Sequence, residues 1–179
     1  MSLDFAILGF LNEQPLSGYD LKTKHFDLCV SHFWNADQGQ IYKTLDKLVD
    51  KKLVTFELQY QDNKPNKKIY SITDKGKGEL LEWLEKEIEN APIREGFAVK
   101  IFFAHNISNE KIIELFEKKK IKHQTKLKEY LEIEKNFFNN EDKKNRKKVL
   151  EFLTLDLGIK YEKNWLSWCE ESIEKLKSL

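Results

Sequence analysis

The sequence predicts a mainly α-helical fold with one small β-hairpin, divided into a first domain at 1–90 and a second at 91–179. Three observations support this fold class. Charged residues make up 34% of the 179 residues, with only seven Gly and three Pro, a composition that favours helix over irregular structure. Apolar residues recur at helical spacing along most of the chain. Only 53–60 and 67–73 change to the β-branched and aromatic pattern of strands.

Four helices are predicted in the first domain, at 3–12, 18–30, 38–51 and 74–89. Ser17, Asp37 and Thr73 precede the last three of these helices and are typical N-cap residues. The third helix has a single apolar stripe, formed by Ile41, Leu45, Leu48 and Val49. Its opposite side is polar and basic, and carries Gly39, Gln40, Lys43 and Lys47.

The two strand-like segments enclose the sequence QDNKPN, which is typical of a turn around Pro65. They therefore predict a β-hairpin whose tip is basic, with Lys64, Lys67 and Lys68. Three helices followed by a hairpin and a fourth helix is the element order of a winged helix-turn-helix, although other small α+β domains share this order. In a winged helix the third helix enters the major groove of DNA, and the hairpin, or wing, contacts phosphate beside it.

The charge distribution supports a DNA-binding face in the first domain. The net charge of the chain is only +1, but segment 38–77 holds nine Lys against five acidic residues, an excess of four positive charges. Local basic charge of this kind is what attracts a phosphate backbone. The residues predicted to contact DNA are Gln40, Tyr42, Lys43, Lys47, Lys64 and Lys67. For the lysines the alternative is a solvated surface position, and for Tyr42 it is packing beneath the wing.

The second domain is predicted to be entirely helical, with helices at 94–105, 109–138 and 142–177. The last helix carries two apolar rows, of which one contains Leu153, Leu157, Tyr161, Trp165 and Trp168 and the other contains Phe152, Leu155, Ile159, Leu166 and Ile173. A helix with two apolar rows needs two partners. The sequence therefore predicts a coiled-coil-like dimerisation domain in which the first row packs on a second subunit; the alternative is a larger core within one chain.

Several classes of protein are not supported by the sequence. It contains no Gly-rich phosphate loop, GxSxG or HExxH motif, so we expect neither an enzyme nor a cofactor. His25, Cys29 and His32 share a helical face, but no fourth zinc ligand lies nearby, so we expect no metal. The N-terminus lacks a signal peptide, no apolar run approaches the ~18 residues of a membrane span, and the two distant cysteines suit a reducing compartment. The expected location is cytoplasmic.

The first domain resembles the PadR family of transcriptional regulators. The resemblance is carried by four motifs in the family's order: ILGFLNEQPLSGYDL at Ile7–Leu21, His32-Phe33-Trp34, Gln40-Ile41-Tyr42 with Leu45 and Leu48, and KIYSITDKG at Lys68–Gly76. The length of the chain and its long final helix resemble the longer subgroup of the family, which includes virulence-gene activators.

The resemblance implies a homodimer that binds a palindromic operator in double-stranded DNA, usually as a repressor. It implies DNA contacts from the wing and from the third helix, where Tyr42 matches the family's tyrosine, and dimerisation through the C-terminal helices. It also implies that a small hydrophobic or aromatic effector, or a stress signal, can control binding. The aromatic residues of the second domain are candidates to line an effector pocket, the alternative being plain core: Phe97, Phe102, Phe103, Phe137, Phe138, Trp165 and Trp168.

Two competing functions remain at this point. One is a winged-helix adaptor that binds proteins and has lost DNA binding, and the other is a ligand sensor whose output is not DNA binding. The basic hairpin tip favours the DNA-binding regulator, because an adaptor has no need of a basic wing.

Overall fold

A computed structural model describes the chain except for residues 1, 29, 32, 61–65, 89–91, 93 and 139–143. The described residues belong to two compact units, Met1–Asn90 and Ala91–Leu179. Among these residues, none of the helices combines the length and the apolar character needed to cross a membrane.

The first unit has the predicted order of helices and hairpin. Its elements are α1 (Ser2–Glu13), β1 (Leu16–Ser17), α2 (Gly18–Asp20, continuing as a π-helical segment Leu21–Phe26), α3 (Gln38–Asp50), β2 (Val54–Gln59), β3 (Lys67–Ile72) and α4 (Asp74–Glu85). The three strands form one antiparallel sheet in the order β1-β3-β2. This architecture confirms the mainly helical fold class with a small β-hairpin.

Strand β1 is a feature that the sequence did not predict. Leu16 pairs with Tyr70 and Ser17 with Ile69, so that the two residues before α2 extend the hairpin by a third strand. Both β1 residues are buried. Two residues are too short for a period-2 pattern, and their strand conformation is imposed by β3.

The core of the first unit lies between α1, α2, α3 and the sheet. The predicted stripe of α3 is confirmed, because Ile41, Leu45 and Leu48 are fully buried. The Phe5 and Trp83 rings stack with centroids 4.6 Å apart and join α4 to α1.

The second helix differs from the prediction of a regular helix over 18–30. It ends at Phe26, and it is π-helical from Leu21 onwards, with a hydrogen bond of 2.9 Å from the Asp27 N–H to the Lys22 carbonyl. Leu21 and Phe26 are both buried. Residues five apart share a face more closely in a π-helix than in an α-helix, so this geometry lets both side chains enter the core.

The second unit consists of α5 (Gly96–Phe102), a short 3₁₀ turn (Ala104–Asn106), α6 (Asn109–Phe137) and α7 (Arg146–Lys177). Helices α6 and α7 pack as an antiparallel pair: the start of α6 meets the end of α7, where the Asn109 side chain donates to the Leu176 carbonyl. One apolar cluster near this end contains Phe116, Cys169 and Ile173, and a second cluster further along contains Tyr130, Leu155 and Ile159.

A polar pair interrupts the apolar contact between α6 and α7. His123 Nδ1 is hydrogen-bonded to the Glu162 carboxylate, and Glu162 is a buried acidic residue. The His123 ring stacks on Trp165 with centroids 4.7 Å apart and planes 6° apart. The pair is therefore enclosed by protein and satisfied by its own members.

Candidate nucleic-acid interface

The start of α3 is organised by a capping box. The Gln40 N–H donates to Asp37 Oδ1 at 2.9 Å, and the Asp37 N–H donates to Gln40 Oε1 at 3.3 Å. Asp37 thus caps the helix as the sequence predicts. The Gln40 amide oxygen takes part in the cap, so a bidentate contact to adenine requires the side chain to leave this position.

Tyr42 lies at the border between the α3 core stripe and the solvent. Its side chain is 38% exposed, and one edge of its ring lies against Gly18, where a Cβ would come within 2.5 Å of Tyr42 Cε1. Burial raises the pKa of the neighbouring Tyr70 hydroxyl, and the charges of Asp46 and Tyr42 raise it further. Tyr42 is therefore held between α2 and the sheet with part of its ring accessible.

The two lysines predicted on α3 have different surroundings. Lys43 is exposed and has no ion-pair partner among the residues that the structure describes. Lys47 Nζ lies 2.5 Å from Asp4 Oδ2 on α1. Lys43 is therefore available to phosphate, whereas Lys47 must first give up an intramolecular partner.

The wing presents its two basic residues of β3 on opposite faces. In the β2–β3 register Lys67 lies opposite Gln59 and Lys68 opposite Leu58, and neighbouring residues of a strand point to opposite sides. Lys68 Nζ lies 4.4 Å above the centre of the Phe56 ring. Lys64, predicted at the wing tip, lies outside the described residues.

Asp20 connects α2 to the first residue of β3, a contact that the sequence did not predict. Its Oδ2 accepts hydrogen bonds from Lys67 Nζ at 2.7 Å and from Ser17 Oγ at 2.5 Å, and its Oδ1 lies 2.9 Å from Lys24 Nζ. The hydrogen bonds from Lys67 and Ser17 hold the pKa of the Asp20 carboxyl well below its usual range. The i, i+4 spacing of Asp20 and Lys24 indicates their ion pair in the sequence, whereas no sequence pattern indicates the ion pair of Asp20 with Lys67.

The predicted dimerisation row is exposed along most of its length. Leu153, Leu157 and Tyr161 are 53%, 67% and 54% exposed, and Trp168 is about one third exposed. Trp165 is different, because it packs against the apolar cluster of its own unit. In the second row Leu155, Ile159 and Ile173 are buried between α6 and α7. One row of α7 is thus covered within the chain and the other lacks cover in the described unit.

The seven aromatic residues proposed for an effector pocket fall into three groups. Phe97 contacts Trp165 and Trp168 directly, and Phe116 contacts both Phe97 and Trp168. Phe102 and Phe103 contact each other and are exposed. Phe137 and Phe138 lie at the far end of α6, where Phe138 contacts Phe152. These seven side chains therefore do not line one common pocket within the second unit.

The zinc arrangement considered in the sequence falls partly outside the described residues, which exclude Cys29 and His32. The His25 ring packs near Phe10, with centroids 4.7 Å apart. In the part of the chain that the structure describes, no group of three or more His, Cys, Asp or Glu residues is arranged to hold a metal ion.

Comparisons with known proteins cover both units. The model of the transcriptional regulator PadR-like family matches residues 7–82, and the model described as virulence activator alpha C-term matches residues 93–177. The negative transcriptional regulator PadR of Bacillus subtilis is 36% identical over 180 residues, which cover 94% of this chain and 93% of that protein.

Solved structures of Bacillus subtilis PadR are similar along the whole chain. PadR in complex with operator DNA matches with a TM-score of 0.88 and 30% identity, covering 98% of this chain and 99% of that one. PadR in complex with p-coumaric acid matches with a TM-score of 0.82 and 30% identity, covering 99% of each chain. The matches confirm the resemblance carried by the sequence motifs. The chain belongs to the PadR-like family of transcriptional regulators.

Proposed function

We propose that this protein is a homodimeric, sequence-specific DNA-binding regulator that represses transcription and releases its operator when a small molecule binds. The observation that carries the proposal is the surface of α3, where Tyr42 is partly exposed and Lys43 is exposed with no ion-pair partner among the described residues. The same fold, at 30% identity over nearly the whole chain, binds operator DNA in Bacillus subtilis PadR.

The proposed DNA contacts come from α3 and from the wing. Lys43 and the wing-tip Lys64 supply phosphate contacts, and Tyr42 directs its hydroxyl to phosphate while its ring packs against Gly18. Gln40 contacts a base only after its side chain leaves the cap. Phosphate contacts of this kind set the register of the protein on the duplex, and base contacts give it specificity.

Lys47 and Lys67 are less available to DNA than Lys43 in this proposal. Each lies within 2.7 Å of an intramolecular carboxylate oxygen, on Asp4 and Asp20 respectively. A DNA contact from either lysine has to replace an ion pair that already exists. We therefore rank both below Lys43 as contributors to operator affinity.

The dimer is proposed to form through the exposed row of α7, with Leu153, Leu157, Tyr161 and the exposed edge of Trp168. Trp165 supports this surface from within its own subunit. Exposed leucines in a row are the kind of apolar patch that a second subunit covers. A two-fold dimer places one α3 of each subunit on the duplex, which matches a palindromic operator.

The effector class proposed is a small aromatic or hydrophobic molecule, because Bacillus subtilis PadR was solved with p-coumaric acid. We propose no catalytic role, since the family consists of transcriptional regulators. A cytoplasmic location follows from the proposal, because a bacterial regulator shares a compartment with its operator.

The test is selection of bound fragments from the source genome, followed by titration of the selected duplex with the wild-type chain and with Lys43→Ala. Lys86→Ala is the matched control, since this exposed lysine at the C-cap of α4 lies outside α3 and the wing. We expect Lys43→Ala to weaken operator binding and Lys86→Ala to leave it unchanged. Failure to enrich any fragment would leave the adaptor or sensor functions instead.

A further inference from the structure

Asp20 occupies a position between two basic side chains of the proposed DNA-binding unit. Only 12% of its side chain is exposed, and its two oxygens have three polar partners, Ser17, Lys24 and Lys67. Buried carboxylates are costly unless they are paired and hydrogen-bonded. The arrangement is therefore a built ionic cluster and not a chance surface pair.

The cluster fixes the start of β3. Lys67 is the first residue of β3, and Asp20 closes the first turn of α2. The β1–β3 pairing of Ser17 with Ile69 brings the two segments together, and Ser17 also donates to the Asp20 carboxylate. The carboxylate thus links α2, β1 and β3 at one point.

The cluster also changes how many positive charges are available to phosphate. Lys24 Nζ lies 2.9 Å from Asp20 Oδ1, and Lys67 Nζ lies 2.7 Å from Asp20 Oδ2. The Lys24 side chain is mostly exposed and that of Lys67 about one third exposed. Both ammonium groups are therefore close enough to the surface to meet a duplex if the carboxylate were neutral.

We propose that Asp20 is a positioning residue for DNA binding, which holds the ammonium groups of Lys24 and Lys67 and thereby limits sequence-independent affinity while it fixes the start of β3. This inference rests on the proposed function. Sequence-independent affinity depends on the number of phosphates that lysines neutralise. A carboxylate that withholds two lysines therefore lowers sequence-independent affinity, and it leaves the base-contacting surface of α3 unchanged.

The decisive variant is Asp20→Asn, which keeps the size and a hydrogen-bond acceptor for Ser17 but removes the charge. Each lysine it releases to phosphate adds about 0.9 to the slope of log affinity against log salt, or about 5- to 10-fold in affinity at 0.1 M salt. We therefore expect tighter binding to a non-operator duplex and a steeper slope. A purely structural role of Asp20 would not make the slope steeper.

The experiment titrates the full chain with a non-operator duplex and with the selected operator across a series of NaCl concentrations. Glu79→Gln is the control, because this exposed α4 residue gives the same charge change without releasing Lys24 or Lys67. Lys67→Met is measured alone and in the Asp20→Asn background. We expect it to change the slope of the wild type by well under about one unit and to remove part of the gain in the Asp20→Asn protein.

Two results would overturn the inference. One is an Asp20→Asn slope on non-operator DNA equal to that of Glu79→Gln. The other is a Lys67→Met protein whose slope falls by about one unit in the wild-type background, since Lys67 would then already contact phosphate. The second result is decisive even if Asp20→Asn does not fold, which a thermal unfolding curve reveals. A wild-type chain that binds no duplex would instead refute the proposed function, a distinct outcome.

Discussion

Gly18→Ala tests the position of Tyr42 without altering any residue that is proposed to contact DNA. The added Cβ would lie 2.5 Å from Tyr42 Cε1 and 2.7 Å from Tyr42 Cζ, separations that the ring can relieve only by moving. Because Tyr42 is already 38% exposed, its ring can turn outward without opening the core. Alanine is also the better helix former at this first residue of α2.

The expected loss of operator affinity follows from the proposed contact. A hydrogen bond to a charged group is worth about 1.5 kcal/mol or more, and the dimer makes the contact twice. The loss is then about 3 kcal/mol, on the order of 100-fold in Kd. The free energy of unfolding should change by less than about 1 kcal/mol, since no buried side chain is lost.

The assay is a fluorescence-anisotropy titration of the operator at fixed salt with Gly18→Ala, Tyr42→Ala and the double variant. Gly78→Ala is the control, because a Cβ there meets no atom within 4 Å. We expect the double variant to bind no more weakly than Tyr42→Ala alone. The reasoning is refuted if Gly18→Ala binds as tightly as the wild type, or if the two losses add.

Three further predictions concern the dimer, the operator and the fold. Leu157→Glu should convert the dimer to a monomer in light scattering at micromolar concentration, whereas the same change at the exposed wing residue Leu58 should not; a dimeric Leu157→Glu protein would exclude this α7 row. Five base pairs inserted at the operator centre should abolish cooperative binding by turning one half-site to the opposite face, because half-sites lie about 10 base pairs or a multiple apart; equal affinity across graded insertions in a gel-shift series would mean that the subunits bind independently. Gly76→Ala should lower stability by about 1–3 kcal/mol in thermal unfolding, because its Cβ would lie 2.2 Å from the Leu53 carbonyl oxygen, and an unchanged Tm would contradict this packing.

The sequence predicted those features whose pattern of apolar and polar residues repeats over a few positions. The stripe of α3, the alternation around the wing and the two rows of α7 all repeat within a few residues, and the structure has the α3 residues Ile41, Leu45 and Leu48 buried. Helix ends were less predictable. Helix α4 ends at Glu85 and α7 begins at Arg146, both inside the predicted ranges.

The features that the sequence did not reveal depend on contacts between distant segments. The Lys47–Asp4 and Lys67–Asp20 pairs join residues more than forty positions apart, and nothing local distinguishes a paired lysine from a solvated one. Strand β1 exists only because β3 lies beside it. The sequence therefore predicts which residues of the site are candidates, from their type and helical face. It does not predict which of them are available to DNA.

The His123–Glu162 pair has a consequence for the alignment of α6 and α7. Two long helices with repeating apolar rows can slide past each other by one turn, about 5.4 Å, and still bury leucine against leucine. Such a shift would separate the His123 ring from the Glu162 carboxylate and leave two buried polar groups without this partner, a cost that hydrophobic contacts alone do not impose. The pair therefore fixes the alignment of the two helices, and the second subunit proposed to cover Leu153, Leu157 and Tyr161 would meet them at one fixed height along the helix pair.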